Sequence, residues 1–244
     1  MSSRIIAVTS SKGGVGKSTI CNHLARTMAD YGEKTILVET DSGVRGLDIF
    51  LNMQNVVYDV YDVVSGNCSI NDAIQTSIYN KNLALMPAPI NFKSKLNFDD
   101  LNKICKQLKN SFENILIDLN GEFELAVKIT EMVDLFLIIT TPDPICVRDV
   151  AIFVNYLKTE ADRIPKMRLI INKIQKKLVA KGIVKNIDEM IDEISLQLIG
   201  VIPRSDKMAI ANFCGKSLKR NSLPQKIFKA IFKRMKQNNQ KLLI

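Results

Sequence analysis

A glycine-rich segment near the start of the chain constrains the fold more than any other feature of the sequence. Residues 10–19 read SSKGGVGKST, and they stand between a short apolar run and the amphipathic stretch 17–31. Gly13, Gly14 and Gly16 allow the backbone to turn tightly and to point several N–H groups inward, which makes a nest for phosphate oxygens. The positive end of the following helix favours the same anion. The segment therefore predicts a strand, a phosphate-binding loop and a helix in direct succession.

The residues of this loop also predict that the bound phosphates belong to a nucleoside triphosphate. Lys17 is placed to reach the β- and γ-phosphates of a nucleoside triphosphate, and the hydroxyl of Ser18 can ligate Mg²⁺. We expect contacts to the nucleotide from the loop as a whole, namely Ser11, Lys12, Gly13, Gly14, Val15, Gly16, Lys17, Ser18 and Thr19.

Apolar runs and amphipathic stretches alternate along the rest of the chain. Runs without polar alternation are typical of parallel strands that helices cover on both faces. The pattern predicts an α/β fold with a doubly wound, mostly parallel sheet, and the chain of 244 residues is expected to form one domain, 1–244. The segment 87–97 contains two prolines and is expected to cross the surface. The predicted strands are 5–8, 35–38, 83–86, 115–117, 135–140, 169–171 and 198–201, and the main predicted helices are 17–31, 99–110, 124–131, 144–159 and 186–195.

Charge is distributed unevenly between the two ends of the chain. The net charge is +9, but the segment after Asp206 contains ten lysines and arginines and no acidic residue, so the remainder is close to neutral. Such a cationic segment can serve anionic lipid, nucleic acid or an acidic partner. The five cysteines form no CxxC pair, which favours reduced, buried thiols and a cytoplasmic protein.

The second lysine of the loop, Lys12, gives the sequence a family resemblance. KGGVGKST resembles the deviant Walker A loop of the MinD/ParA family of P-loop ATPases. The resemblance implies ATP with Mg²⁺ as the ligands. It also implies that Lys12 reaches across to the partner's nucleotide in an ATP-dependent homodimer.

Two carboxylate segments extend the resemblance. In ETDSGVRGLD, residues 39–48, Asp41 stands at the family's water-positioning aspartate, while Glu39 replaces an aspartate. In ILIDLNGEFE, residues 115–124, Asp118 matches the carboxylate that holds Mg²⁺ through water. There Gly121 falls one place early against the family pattern. The resemblance implies that Lys12, Lys17 and Asp41 are the catalytic residues.

Further similarity to the MinD members of the family runs in the same order along about 200 residues. LALMPAP at 83–89 and the stretch 56–74 are similar to MinD segments. Arg148 and Asp149 occupy a partner-binding Arg-Asp pair, Asn172 matches the adenine-reading asparagine, and Pro203 lies in the loop beside the base. The resemblance implies an ATPase, slow without an activating partner, that acts in placing the division septum with division-site regulatory proteins.

The C-terminal segment 224–238 leaves two interpretations open. It reads PQKIFKAIFKRMKQN, a basic amphipathic helix whose apolar residues share one face. It can pack on the core, or it can attach the protein peripherally to an anionic membrane on the inner face of the cell.

Two other functions remain as alternatives. A ParA-type, flagellum-type or pilus-type positioning ATPase would share the loop and differ in cargo, and nucleic acid is the less favoured partner. An ATP-gated interaction module with little hydrolysis would fit Glu39 and the altered segment 119–122. The only histidine, His23, is expected to be a packed helix residue.

Overall fold

The computed structural model describes residues 3–41, 45–90, 96–119 and 122–236, and eight strands lie within these ranges. All seven predicted strands are present, six of them with bounds within two residues of those expected, whereas the strand predicted at 169–171 extends three residues further at each end. The eighth, two residues long, was too short to be recognised from its pattern. The strands are β1 (Arg4–Thr9), β2 (Thr35–Glu39), β3 (Gln75–Thr76), β4 (Leu83–Met86), β5 (Asn114–Asp118), β6 (Leu135–Thr140), β7 (Lys166–Ile174) and β8 (Leu198–Pro203).

Helices connect the strands, and the five main predicted helices are all present. Short helices after β2, β7 and β8 were not predicted. The helices are α1 (Lys17–Asp30), α2 (Leu47–Leu51), α3 (Val60–Val64), α4 (Phe98–Leu108), α5 (Phe123–Ile129), α6 (Pro144–Glu160), α7 (Lys176–Ala180), α8 (Ile187–Ile194), α9 (Asp206–Phe213) and α10 (Leu223–Lys236).

The strands form one sheet in the order β3-β4-β2-β5-β1-β6-β7-β8. Every neighbouring pair is parallel except β3 and β4, which are antiparallel at the edge. The predicted doubly wound, mostly parallel sheet is therefore confirmed. β5 lies between β1 and β2, so the loops that follow these three strands meet at one edge of the sheet, where open α/β sheets bind ligands.

Each face of the sheet is covered by its own hydrophobic core. On one face, β-strand residues such as Ile117 and Phe136 pack with α4, α5, α6 and α8. On the other face, Val8 and Leu37 pack with α1, α9 and α10. Burial on both faces explains why the strands read as continuous apolar runs.

The C-terminal helix α10 packs with its apolar face against the protein. Ile227, Phe228, Ile231 and Phe232 are buried, and the helix lies on β8 and α1. Gly200 of β8 makes this approach possible, because a Cβ there would lie 2.5 Å from Ile231 Cδ1. The apolar face of α10 belongs to the core, so it is not free to enter lipid.

No helix in the part of the chain that the structure describes combines the length and the apolar character that a membrane crossing requires. Residues 237 and 238 of the predicted C-terminal helix lie outside the described ranges.

Two local expectations were wrong in part. Within the segment 87–97, residues 87–89 do not cross the surface: they are buried, and Pro87 O accepts a hydrogen bond from Val60 N (2.9 Å). Ile90 is exposed as expected, and residues 91–95 lie outside the described ranges. All five cysteines are free thiols, but only Cys21, Cys105 and Cys146 are buried, whereas Cys214 is exposed. Neither outcome has a periodic signal, because neighbours in the fold bury residues 87–89 and leave Cys214, directly after α9, exposed.

Candidate nucleotide-binding site

The glycine-rich loop connects β1 to α1 at the centre of the sheet, as its sequence predicts. Gly14 and Gly16 have φ angles of 78° and 99°, in the left-handed region that glycine adopts without strain. Gly16 also has no room for a side chain, since an added Cβ would lie 2.4 Å from Asn172 Nδ2. Gly16 is the N-terminal cap of α1, so the loop leads directly into the positive end of a helix of 14 residues.

Lys17 pairs with a buried carboxylate at the mouth of the loop. Its ammonium donates a hydrogen bond of 2.5 Å to Asp118 Oδ1, and Asp118 is only 1% exposed at the end of β5. Burial alone would lower the pKa of Lys17, but nearby negative charges, chiefly Asp118 and also Asp41, outweigh burial and raise that pKa. The structure brings Lys17 and Asp118 into contact, and Asp41 acts on Lys17 through its charge.

The hydroxyl groups of the loop have different surroundings. Ser10 Oγ donates to Lys12 O (3.0 Å), which supports the turn. The buried Oγ of Ser11 has no hydrogen-bond partner among the described residues. Ser18 lies in the first turn of α1, next to Lys17. Its hydroxyl and the Asp118 carboxylate are oxygen ligands of the kind Mg²⁺ prefers, so the residues of the site fit this ion.

A pocket adjoins the phosphate loop on the side of β7 and β8, and we call it the base-side pocket. It has a volume of about 320 Å³, and its lining includes Gly16, Thr19, Asn172 and Pro203. Asn172 is 4% exposed, and its Nδ2 donates to Val15 O (2.7 Å). One N–H of the amide is engaged there, so the side-chain oxygen and the second N–H of Asn172 remain to form hydrogen bonds with a base. Asn172 and Pro203, which are distant in sequence, therefore share one pocket beside the loop.

Lys12 lies on the outer side of the loop. It is exposed and lines an open groove of about 510 Å³ together with Asp143, Lys173 and Arg204.

Arg148 and Asp149 lie on α6, further along the helix that begins beside this groove. Their side chains are 3.7 Å apart, and that of Arg148 is 67% exposed. An ion pair this exposed contributes little to stability, and both residues are accessible to a partner.

Glu39, the departure from the family pattern, does not face the phosphate loop. Its carboxylate accepts backbone hydrogen bonds from Gly46 N (3.0 Å), Leu47 N (3.2 Å) and Ala88 N (3.3 Å). Burial raises its pKa to about 7. Glu39 thus ties the start of α2 to the buried loop at 87–89, in a position close to Asp41.

Some expectations concern residues outside the described ranges. Asn120 and Gly121, on which the altered segment 119–122 depends, lie outside them.

His23 is 1% exposed and packs on Phe228 with ring centroids 5.4 Å apart, and burial lowers its pKa to about 3. It is a core residue of α1, as the sequence indicated.

Two residues of the site were missed by sequence reasoning. Asn212 of α9 donates through Nδ2 to Thr19 Oγ1 (3.0 Å) and lines the base-side pocket. Lys173 donates through Nζ to Gly14 O (2.5 Å). An asparagine in a helix carries no signal of its own, whereas Lys173 directly follows Asn172 and could have been considered with it.

This sheet, with a glycine-rich loop at its centre and a base-side pocket beside it, defines a P-loop nucleotide-binding protein. The chain belongs to the family described as the CobQ/CobB/MinD/ParA nucleotide binding domain, whose model matches residues 6–218. Within that family the chain is a MinD-like ATPase.

Individual relatives give the same result. The chain is 33% identical over 241 residues to the septum site-determining protein MinD of Synechocystis, covering 95% of this chain and 89% of that protein. It is 35% identical over 240 residues to MinD of Thermotoga maritima, covering 95% of this chain and 88% of that one. Among solved structures, the MinC:MinD cell division protein complex of Aquifex aeolicus contains a chain that superposes with a TM-score of 0.89 at 25% identity, covering 99% of both chains.

Proposed function

We propose that this protein binds ATP with Mg²⁺ and hydrolyses it slowly, and that ATP controls its pairing and its reversible association with partners in placing the division septum. One observation supports this most strongly: Lys17 and the buried Asp118 meet at the phosphate loop, beside a pocket that Asn172 and Pro203 line.

The chemistry needs no covalent step through the protein. The loop N–H groups and Lys17 hold the triphosphate, and a phosphate oxygen replaces the Asp118 carboxylate as the partner of the ammonium. Asp118 and Ser18 would hold Mg²⁺, which would neutralise charge on the β- and γ-phosphates. Asp41 orients the attacking water. Rate enhancement comes from positioning and electrostatics alone.

Lys12 supplies the reason for ATP to pair two chains. It is exposed on the groove beside the loop, where a second chain can approach. An ammonium that reaches a neighbouring nucleotide would complete that site and stabilise the charge that develops on the transferred phosphate. Hydrolysis removes the third phosphate and with it this attraction, so the pair separates.

Arg148 and Asp149 are proposed as part of the partner-binding surface. The A. aeolicus relative forms a MinC:MinD complex. The accessible pair on α6 lies on the helix whose first turn lines the groove of Lys12. A regulator bound there would therefore sense whether two chains are paired.

Association with an anionic membrane is a further part of the proposal, and α10 cannot supply its apolar contact. The exposed alternative is the outer side of α9 and the loop that follows it, which we call the α9 surface. Phe213 is 88% exposed and Ile210 is 61% exposed, and both stand among exposed lysines. The lysines are Lys207, Lys216 and Lys219, which also line an apolar groove of about 490 Å³. Apolar side chains surrounded by lysines suit the interface of an anionic bilayer.

Phosphate release separates the main proposal from an ATP-gated module. We expect slow release from the wild type with ATP and Mg²⁺, no release above background from Asp41→Ala, and retained ATP binding in that variant. Binding without any release from the wild type, with phosphatidylglycerol vesicles present or absent, would establish the gated module instead.

Sedimentation separates the membrane from DNA as the anionic surface. We expect the wild type with ATP to sediment with vesicles that contain phosphatidylglycerol, and Phe213→Ser to sediment less. Retention of duplex DNA without vesicle binding would favour the ParA-type alternative.

A further inference from the structure

Lys173 has a backbone conformation that its position does not explain. Its φ is 57°, in the left-handed region that is strained for a residue with a side chain. Two other non-glycine residues in the described ranges share this conformation, Asn52 and Ser195, and each of them ends a helix. Lys173 instead lies inside β7, one residue from its end. Strain that persists in a strand beside a ligand pocket indicates that the conformation has a task.

The task follows from where the side chain goes. Consecutive residues of a strand normally point to opposite faces of the sheet. The pairing of β7 with β8 is irregular between Ile171 and Ile174, and this bulge contains both Asn172 and Lys173. Bulges next to active sites commonly re-aim a side chain. Here the irregularity lets two consecutive side chains reach the same loop.

The two side chains donate to two consecutive carbonyls of the phosphate loop. Lys173 Nζ lies 2.5 Å from Gly14 O, and Asn172 Nδ2 lies 2.7 Å from Val15 O. A loop that presents its N–H groups to phosphate must turn its carbonyl oxygens away, because they would repel the anion. Donors on the outer side stabilise that orientation, and a charged donor does so more strongly than a neutral one. Lys173 also lines both the groove of Lys12 and the base-side pocket.

We propose that Lys173 is a positioning residue for the phosphate loop, which it holds in its anion-binding conformation through the Gly14 carbonyl. The inference rests on the proposed binding of ATP at this loop. Lys173 is exposed, so replacing it removes the contact without opening the core.

Three substitutions separate the ammonium from the backbone strain. Lys173→Met removes the donor and keeps the length, Lys173→Arg keeps a charged donor, and Lys173→Gly removes the side chain and the strain together. Calorimetry with ATP and Mg²⁺ measures affinity. Hydrogen exchange of the peptide that contains residues 10–19, without nucleotide, measures the order of the loop directly. The matched control is Lys103→Met, which makes the same change on α4, away from both pockets.

We expect Lys173→Met and Lys173→Gly to weaken ATP binding by about three- to tenfold and to speed exchange in the loop. Lys173→Arg and Lys103→Met should stay within about twofold of the wild type. Wild-type affinity and exchange in Lys173→Met, or an equal loss in Lys173→Arg, would overturn the positioning role. A wild type that binds no ATP would instead refute the proposed function, so the two failures are distinguishable.

Discussion

Individual residues of the phosphate loop meet different physical requirements. Gly16 meets a steric demand, since it combines a φ of 99° with an approach to Asn172 that leaves no space for a Cβ. Lys17 meets an electrostatic demand, with its ammonium 2.5 Å from Asp118. Gly13 meets neither demand from within the chain, because an added Cβ there would lie near no other atom. Substitutions at these three positions can therefore test the steric and the electrostatic requirement separately.

We expect Gly16→Ala to be destabilising and to weaken ATP binding, because it strains the backbone and displaces Asn172 from Val15 O. Strain of this kind costs about 1–3 kcal/mol, which lowers the melting temperature of a chain this long by roughly 2 to 10 °C. Thermal unfolding and calorimetry measure the two effects. Gly13→Ala without nucleotide is the control and should melt within about 1 °C of the wild type. Equal melting temperatures for both variants would contradict the steric role of Gly16.

Glu39 gives the protein a distinctive pH dependence. Its pKa in the fold is raised to about 7 from an ordinary 4.5, so between these values the folded state binds more protons than the unfolded state. The free energy of unfolding should then fall as pH rises through this window, by on the order of 3 kcal/mol, and level off above it. Urea unfolding at pH 5, 6, 7 and 8 measures the slope.

Glu39→Gln should flatten this slope, because it removes the titrating group. Glu124→Gln, the same change at an exposed position of α5, should keep the wild-type slope. A slope unchanged by Glu39→Gln would show that other groups cause it.

Residue-level prediction from the sequence was strongest where one chemistry demands one residue. Lys17, Asp118, Asn172 and Pro203 meet at the site because loops after parallel strands converge at one edge. Lys173 and Asn212 could not be predicted, since a bulge re-aims one and a neighbouring helix positions the other. The hydrogen bonds that Glu39 accepts from backbone N–H groups could not be predicted either. One of them comes from the loop at 87–89, and the burial of that loop has no sequence signal.

At the scale of elements, the fold followed from periodicity wherever an element was long enough to show it. Strands buried on both faces read as apolar runs, and α4 even has a reciprocal cap between Asn97 and Asp100. Every element that was missed has eight residues or fewer: β3, α2, α3, α7 and α9. The position of α10 was left open because an amphipathic helix looks alike on a core and on a membrane.

The contact between α10 and β8 can be tested as a pair. Gly200→Ala places a Cβ against Ile231 and should cost about 1–3 kcal/mol, and Ile231→Ala should cost about 2–5 kcal/mol. The double variant should lose at least about 1 kcal/mol less than the sum, because the new methyl group fills part of the space vacated. Urea unfolding gives the free energies.

The control combines Gly200→Ala with Ile227→Ala, a buried residue on the same helix. That pair should be additive within about 0.5 kcal/mol. Additive losses of free energy in both pairs would contradict the packing of Ile231 of α10 against Gly200 of β8. The same packing means that a chain cut before Pro224 loses part of its core, so single substitutions on the α9 surface test membrane contact better than truncation.

At the scale of the whole molecule, the exposed groove of Lys12 and the basic α9 surface lie on different parts of one P-loop fold. The first suits a second copy of the chain and the second suits an anionic surface. α9 joins the α9 surface to the base-side pocket, since Met208 and Asn212 line that pocket while Ile210 and Cys214 line the groove of the α9 surface.

Pairing should depend on the third phosphate. With ATP and Mg²⁺ we expect Asp41→Ala to elute as a dimer by light scattering, because it binds ATP without hydrolysing it, and to elute as a monomer with ADP. Adding Lys12→Ala should give monomers with either nucleotide. A dimer that survives the loss of Lys12 would contradict its role between chains.

The most direct test of ATP binding at the phosphate loop is calorimetric titration of ATP with Mg²⁺ into the wild type and into Lys17→Met. We expect one nucleotide per chain for the wild type and no measurable binding for Lys17→Met at an unchanged secondary structure content. Absence of binding by the wild type at millimolar ATP, or equal affinity in the two proteins, would contradict it.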